Sequence, residues 1–178
     1  MSGPDRIGVL FVCLGNICRS PLAEGIFLDL ARRKNLADRF DADSCGTGGW
    51  HAGEGADPRS VGVALAHGIR LDHEARQFDP ARDLARFRWI LAMDRSNLRD
   101  IRNAAETHGL DASRARLILS FAPGARPDAG GSLDVPDPYY GGADGFERVF
   151  GMLAGSCAAL MDAVLAEPHG PGHDRAGV

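Results

Sequence analysis

Apolar positions along this chain follow two rhythms in turn. Residues 7–13, IGVLFVC, form a continuous apolar run of strand length, as expected for a strand covered on both faces. Directly afterwards Leu22, Ile26, Phe27 and Leu30 recur at helical spacing, with Ser20 placed as N-cap and Pro21 at the first helical position. FDADSCGT (40–47) reads as a second, weaker strand. Residues 57–68 open on Asp57-Pro58 and stop at Gly68, the punctuation of a helix, and 79–87 repeat the Asp-Pro opening for a shorter one. WILAM (89–93) is a third strand. A helix follows from about Ser96, carrying Leu98, Ile101 and Ala105, and ARLILSF (115–121) is the fourth strand. A last helix is predicted from Asp144, with Glu147 three residues on as its capping box. Its buried stripe runs from Phe146 through Val149, Phe150, Leu153, Cys157, Leu160 and Met161 to Val164.

Strands alternating with helices predict a single α/β domain, a parallel sheet with helices on both faces. The expected extents are a flexible N-terminus over 1–6, a domain over 7–166 and a disordered tail over 167–178. In such sheets ligands bind beyond the carboxyl ends of the strands, where strand order switches. Cys13 stands at the carboxyl end of the first strand. Residues 122–144, rich in Pro, Gly and Asp, are too long for a simple connector, and long loops in compact domains are often functional.

Composition narrows the classes of function. The net charge is −4 and the pI about 5.8, which leaves no electrostatic footprint for nucleic acid and no basic face for anionic lipid. Lys34 is the sole lysine beside nineteen arginines. The N-terminal apolar run is too short for a signal peptide, and no segment is expected to reach bilayer-spanning length. A cytoplasmic location is expected, with export lacking a recognisable signal left open. Cys13, Cys18, Cys45 and Cys157 are scattered and expected as free thiols; neither they nor His51, His67, His73 and His108 show zinc-ligand spacing.

The chemistry concentrates in VLFVCLGNICRSPLAE (9–24). A strand, a Gly-containing turn and a helix start direct backbone N–H groups at one centre, where the helix N-terminus adds positive potential. Such a cradle suits a phosphate-like dianion and favours a thiolate at Cys13, a nucleophile. Arg19, six residues on, offers a planar fork for two phosphoryl oxygens, and Ser20 a hydroxyl for the sulfur. A cysteine ending a buried strand is by itself more often an inert small hydrophobe; the turn and helix start argue otherwise. No G-x-x-x-x-G-K-[ST] is present, so a nucleotide-binding P-loop is excluded.

This segment resembles the C-x5-R-S/T signature of the low-molecular-weight protein tyrosine phosphatases. DPYYGG (137–142) is similar to that family's general-acid loop, and GTGGWHAGEGADPRS (46–60) and AMDRSNLRDI (92–101) also fit, so the likeness covers roughly 7–166. The resemblance implies a flavodoxin-like fold, a four-stranded parallel sheet in the order 2-1-3-4. It implies hydrolysis of phosphotyrosine in proteins through a phosphocysteine, with Cys13 as nucleophile, Arg19 binding phosphate and Asp137 as general acid and base. Leu14, Gly15, Asn16, Ile17 and Cys18 would supply amides, with Ser20 beside them. Ser44 and His73 would hold Asn16, and Asp94 would position Arg19. Trp50, Tyr139 and Tyr140 would form aromatic walls, with Tyr139 and Tyr140 at positions phosphorylated in relatives. No metal or cofactor is implied, because Arg19 and the amides offset the phosphoryl charge. The partners implied are phosphotyrosine-containing proteins, with no nucleic acid or membrane, for a monomer or a weakly self-associating chain. Cys18 could form a transient disulfide with Cys13, or simply fill space.

Three alternatives stand beside this reading. Thiol-dependent arsenate reductases need two further cysteines near residues 80–90, where this chain has none. Protein arginine phosphatases usually carry Thr where this chain has Ile17, and lack the paired tyrosines. A silent phosphate-binding module would be expected to have lost one of Cys13, Arg19 and Asp137.

Overall fold

The computed structural model describes residues 6–125 and 132–167, so the calls on residues 1–5 and 168–178 lie outside the described residues. β1 (Ile7–Cys13) lies between β2 (Phe40–Gly46) and β3 (Trp89–Ala92), with β4 (Ala115–Leu117) beyond β3. All pairings are parallel, in the order β2-β1-β3-β4. Both the fold class and the strand order are as expected. Every residue of β1 is buried, which is why its sequence shows no polar alternation.

Successive side chains of β1 serve opposite faces. Val9, Phe11 and Cys13 join the core formed with α1 (Arg19–Arg33) and α5 (Ala143–Ala166). Leu10 and Val12 join Leu84 of α3 (Pro80–Arg86) and Ile101 and Ala105 of α4 (Arg95–Thr107). α2 (Pro58–Ala66) packs beside α1 and α5. Phe27 anchors the first core, with its ring centroid 5.7 Å from Phe11 and 5.0 Å from Phe40. Burying one such ring stabilises the fold by about 2–3 kcal/mol. The caps at Asp57 and Asp79 form as read, accepting from the N–H groups of Arg59 and Arg82 at 2.9 and 3.1 Å.

Four local expectations are corrected. α1 starts at Arg19 with Cys18 as N-cap, so Ser20 and Pro21 are its second and third residues. Pro is tolerated there because the first N–H groups of a helix have no intrahelical acceptor. The fourth strand stops at Leu117: its pairing partner ends at Ala92, and residues 118–121 tighten into a 3-10 turn that buries Ile118 and Leu119 near α5. α5 starts at Ala143 after Gly142, without the Asp144–Glu147 capping box; Glu147 instead meets His67 Nε2 at 2.7 Å. Finally, α5 has 24 residues and is apolar enough to cross a bilayer by length and composition alone. It is nonetheless a core helix, with nine residues buried in the fold.

Candidate active site

The segment from Cys13 to Arg19 leaves β1 and closes into a ring before α1. The ring is shaped from outside, by donors that take its carbonyls one after another. Thr47 N–H donates to the carbonyl of Cys13 (2.9 Å), Gly48 N–H to Leu14 (2.9 Å) and Asp57 N–H to Ile17 (2.8 Å). His73 Nε2 donates to the carbonyl of Asn16 (2.7 Å) and Ser60 Oγ to that of Cys18 (3.2 Å). In a trans peptide the N–H points opposite its C=O. Carbonyls held outward therefore turn the N–H groups of residues 14, 15, 17, 18 and 19 inward. Ile17 and Cys18 pack against Ala75 and Phe146, fastening the ring's outer face.

Cys13 Sγ sits in this ring, 3.0 Å from Ser20 Oγ, and accepts from Asn16 N–H at 3.2 Å. Asn16 has φ = 58°, the left-handed conformation that Asn adopts more readily than most residues. Its buried amide is fully used. Nδ2 donates to Ser20 Oγ (2.9 Å) and Ser44 Oγ (3.0 Å), and Oδ1 accepts from Arg76 N–H (2.9 Å). Ser44 Oγ in turn donates a hydrogen bond to Glu24 Oε2 at 2.6 Å. Burial pushes the Glu24 carboxyl up to about 7, only partly offset by Ser44. Burial likewise pushes His73 down from its ordinary value. A carbonyl only accepts, so His73 carries its proton on Nε2. β2 presses close behind the ring: a Cβ on Gly46 would lie 2.7 Å from the Leu14 carbonyl oxygen.

Arg19 is only 3% exposed and is aimed by three acceptors. Its Nη1 donates to Asp94 Oδ2 (2.7 Å) and the Val135 carbonyl (3.1 Å), and its Nη2 to Asp137 Oδ2 (3.3 Å). Asp94 is fixed in turn as the N-cap of α4, accepting from Asn97 N–H at 2.7 Å. Asp137 also accepts from Tyr139 N–H at 3.1 Å, so it both opens a turn and reaches the guanidinium.

A cleft of about 300 Å³ opens above the sulfur, lined by Cys13, Ile17, Arg19, Trp50, Asp137 and Tyr139 among others. Tyr140 lines it too but is 94% exposed, and Trp50 64%, so these rings stand at its mouth. Tyr139 and Tyr140 meet edge to face at 4.9 Å. Cys18 also lines the cleft; burial, with Asp57 beside it, pushes its thiol up to about 12. All the residues singled out from the sequence gather here. Asn16, Ser20, Ser44 and His73 stand around the ring, and Asp94 beside Arg19.

Several neighbours had no sequence reading. Arg59 ties the N-cap Asp57 (Nη2 to Oδ2, 2.8 Å) to the carbonyl of Tyr139 (Nη1, 3.0 Å), joining α2 to the 137–142 loop. Its guanidinium lies 4.6 Å from the Phe146 ring centroid. His51 lines the cleft, and Glu24 and Arg76 back Asn16. Only Glu24 left a trace: it lies four residues beyond Ser20 on α1, hence on the same face.

The model of the low molecular weight phosphotyrosine protein phosphatase family matches residues 8–169. The chain belongs to that family. A low molecular weight protein-tyrosine-phosphatase of Streptomyces coelicolor is 48% identical over 162 residues, covering 91% of this chain and 96% of the relative. Among solved structures, an Entamoeba histolytica protein tyrosine phosphatase with Hepes in its active site superposes with a TM-score of 0.80 at 31% identity, covering 89% and 97% of the two chains. A Drosophila arginine phosphatase superposes with a TM-score of 0.78 at 32% identity, covering 90% and 99%. Family membership makes the chain a cysteine-dependent phosphatase of the protein-tyrosine-phosphatase type.

Proposed function

We propose that the chain hydrolyses phosphotyrosine in proteins with Cys13 as nucleophile, Arg19 as phosphate ligand and Asp137 as general acid and base. Cys13 Sγ attacks phosphorus; the S–P bond forms as the P–O bond to the phenol breaks. The proton of Asp137 goes to the departing oxygen, which would otherwise leave as a phenolate of pKa about 10. Water then attacks phosphorus and loses its proton to Asp137; the S–P bond breaks, releasing phosphate and thiolate. Inward amides of residues 14, 15, 17, 18 and 19 and the Arg19 fork hold the equatorial oxygens throughout. Asn16, Ser44, His73 and Asp94 keep these groups in place, and Trp50, Tyr139 and Tyr140 flank the substrate ring.

The observation that carries this reading is the outward capture of five loop carbonyls, which leaves an anion cradle around a hydrogen-bonded sulfur. A cytoplasmic location and a monomeric or weakly self-associating state belong to the same proposal, as does action without nucleic acid or anionic membrane, which the net charge of −4 supports. The likeness to an arginine phosphatase favours one second reading, phosphoarginine hydrolysis. Ile17 and the Tyr139-Tyr140 pair support phosphotyrosine.

The test is turnover of a phosphotyrosine peptide, a phosphoarginine peptide and p-nitrophenyl phosphate by the parent, Cys13→Ser and Asp137→Ala. Cys13→Ser is expected to abolish turnover. Asp137→Ala is expected to lower phosphotyrosine turnover by about 10²–10⁴ and to affect the better leaving group less. An equal loss on both removes Asp137 from the acid role. Preference for phosphoarginine replaces the substrate assignment, and a parent without turnover leaves a silent phosphate-binding module.

A further inference from the structure

Asn16 is held in its left-handed conformation partly by an ion cluster that touches neither the sulfur nor the cleft. The segment from His73 to Phe78, between α2 and α3, contributes Arg76 N–H to Asn16 Oδ1 at 2.9 Å. It lies against the end of β2, with Gly46 N–H donating to the Arg76 carbonyl and Phe78 N–H to the Gly46 carbonyl, both at 2.8 Å. Apart from a single bridge at Gln77 the segment has no regular structure, and side-chain anchorage adds to these main-chain bonds.

The Arg76 side chain supplies that anchorage. Its Nη2 and Nε donate to Asp43 Oδ2 on β2 at 2.8 and 3.2 Å. Its Nη1 donates to Asp83 Oδ2 on α3 at 2.9 Å. Asp83 is completely buried and accepts also from Arg82 Nε (3.0 Å) and Asp79 N–H (2.9 Å). Burial alone would raise its carboxyl, but these donors outweigh that and hold it below the ordinary carboxylate value. A buried carboxylate so satisfied is costly to disturb, because loss of Arg76 leaves it short of a partner. One guanidinium thus braces the segment against both β2 and α3.

We propose that Arg76, braced by Asp43 and Asp83, is a positioning residue that holds the Asn16 amide in register with the Cys13 sulfur. This rests on the phosphatase reading above. Without the brace, the Arg76 N–H drifts from Asn16 Oδ1, the strained Asn16 backbone relaxes, and its N–H leaves the sulfur. The ring then binds oxyanions less well although Cys13, Arg19 and Asp137 are all present.

The test compares Arg76→Met, which keeps the stem and removes the fork, with Val164→Ala, a core variant near the C-terminal end of α5. Vanadate inhibition, turnover per folded molecule and the ratio of Cys13 alkylation by iodoacetate to that by iodoacetamide are measured in each. In Arg76→Met all three are expected to fall about tenfold, the scale of a lost outer-shell partner, with vanadate read as affinity. Val164→Ala is expected to lose stability but keep all three. Arg76→Lys, whose single ammonium reaches one carboxylate at a time, is expected to recover part of the loss. Should Arg76→Met not fold, Asp43→Asn breaks one arm only and is expected to give a smaller loss of the same kind. Parental vanadate affinity and alkylation ratio in the folded variant, or an equal loss in Val164→Ala, overturns the proposal. A parent without Cys13-dependent turnover would instead overturn the phosphatase reading itself.

Discussion

Glu24 makes stability depend on pH with a sign opposite to that of most carboxylates. Its side chain is 17% exposed, and its carboxyl titrates at about 7 in the fold against an ordinary value of 4.5. Between those values the native protein keeps a proton that the unfolded chain has released. Stability from this group is therefore fully present below about 4.5 and is lost as pH rises through 7. The gap of roughly two and a half units, at about 1.4 kcal/mol each, amounts to about 3 kcal/mol. Glu24→Gln keeps the shape and the acceptor for Ser44 but cannot ionise. Urea unfolding of parent and variant from pH 5 to pH 8 isolates the effect, because every other titrating group is common to both. The variant's advantage is expected to grow by about 2.5 kcal/mol between pH 5, where about 0.8 kcal/mol is already lost, and pH 8. With a slope of about 2 kcal/mol per molar urea, the midpoint should move by more than about 1 M. A difference that stays constant across this range would refute the reasoning. So would a parent that gains on the variant as pH rises, which would mean that Glu24 is ionised and paired with His73, 3.9 Å away.

Two further predictions follow from neighbouring groups. With its thiol pushed up to about 12 by burial and by Asp57, Cys18 is protonated at neutral pH, so closure of a Cys13–Cys18 disulfide after peroxide should quicken about tenfold per pH unit from 7 to 9; a flat profile in quenched mass spectrometry would sink this, and full dithiothreitol recovery of Cys18→Ser after peroxide would show that the disulfide does not shield Cys13 from over-oxidation. Gly46→Ala places a Cβ against the Leu14 carbonyl oxygen, and overpacking against backbone is expected to cost about 1–3 kcal/mol in thermal unfolding while lowering vanadate affinity; unchanged affinity would show that β2 does not shape the ring.

Much of this was legible along the chain because short-range chemistry decides it. The apolar run at 7–13 and the Asp-Pro caps at 57 and 79 depend on neighbours in sequence, and those elements stand where the pattern puts them. Ser20 was misplaced for a physical reason. A serine beside proline reads as a cap, but Cys18 takes the cap position and the helix is already under way at Arg19, which frees the Ser20 hydroxyl to face the sulfur. The truncated β4 depends on how far β3 extends, a matter of register rather than propensity. Within the site, Cys13, Arg19 and Asp137 could be named because they sit in compact motifs. Arg76, Arg59 and the Val135 carbonyl act through partners tens of residues away, and main-chain acceptors carry no residue signature at all.

The ring's main-chain amides and buried guanidinium make a floor that reads geometry and charge but not what an oxyanion is attached to. On the proposed mechanism, selectivity must then reside in the few side chains that face the cleft above it, chiefly Ile17, Trp50, His51, Tyr139 and Tyr140. Retargeting such an enzyme, from an aryl ester to another phosphorylated side chain, would call for exchanging that upper storey while the foundation stays untouched.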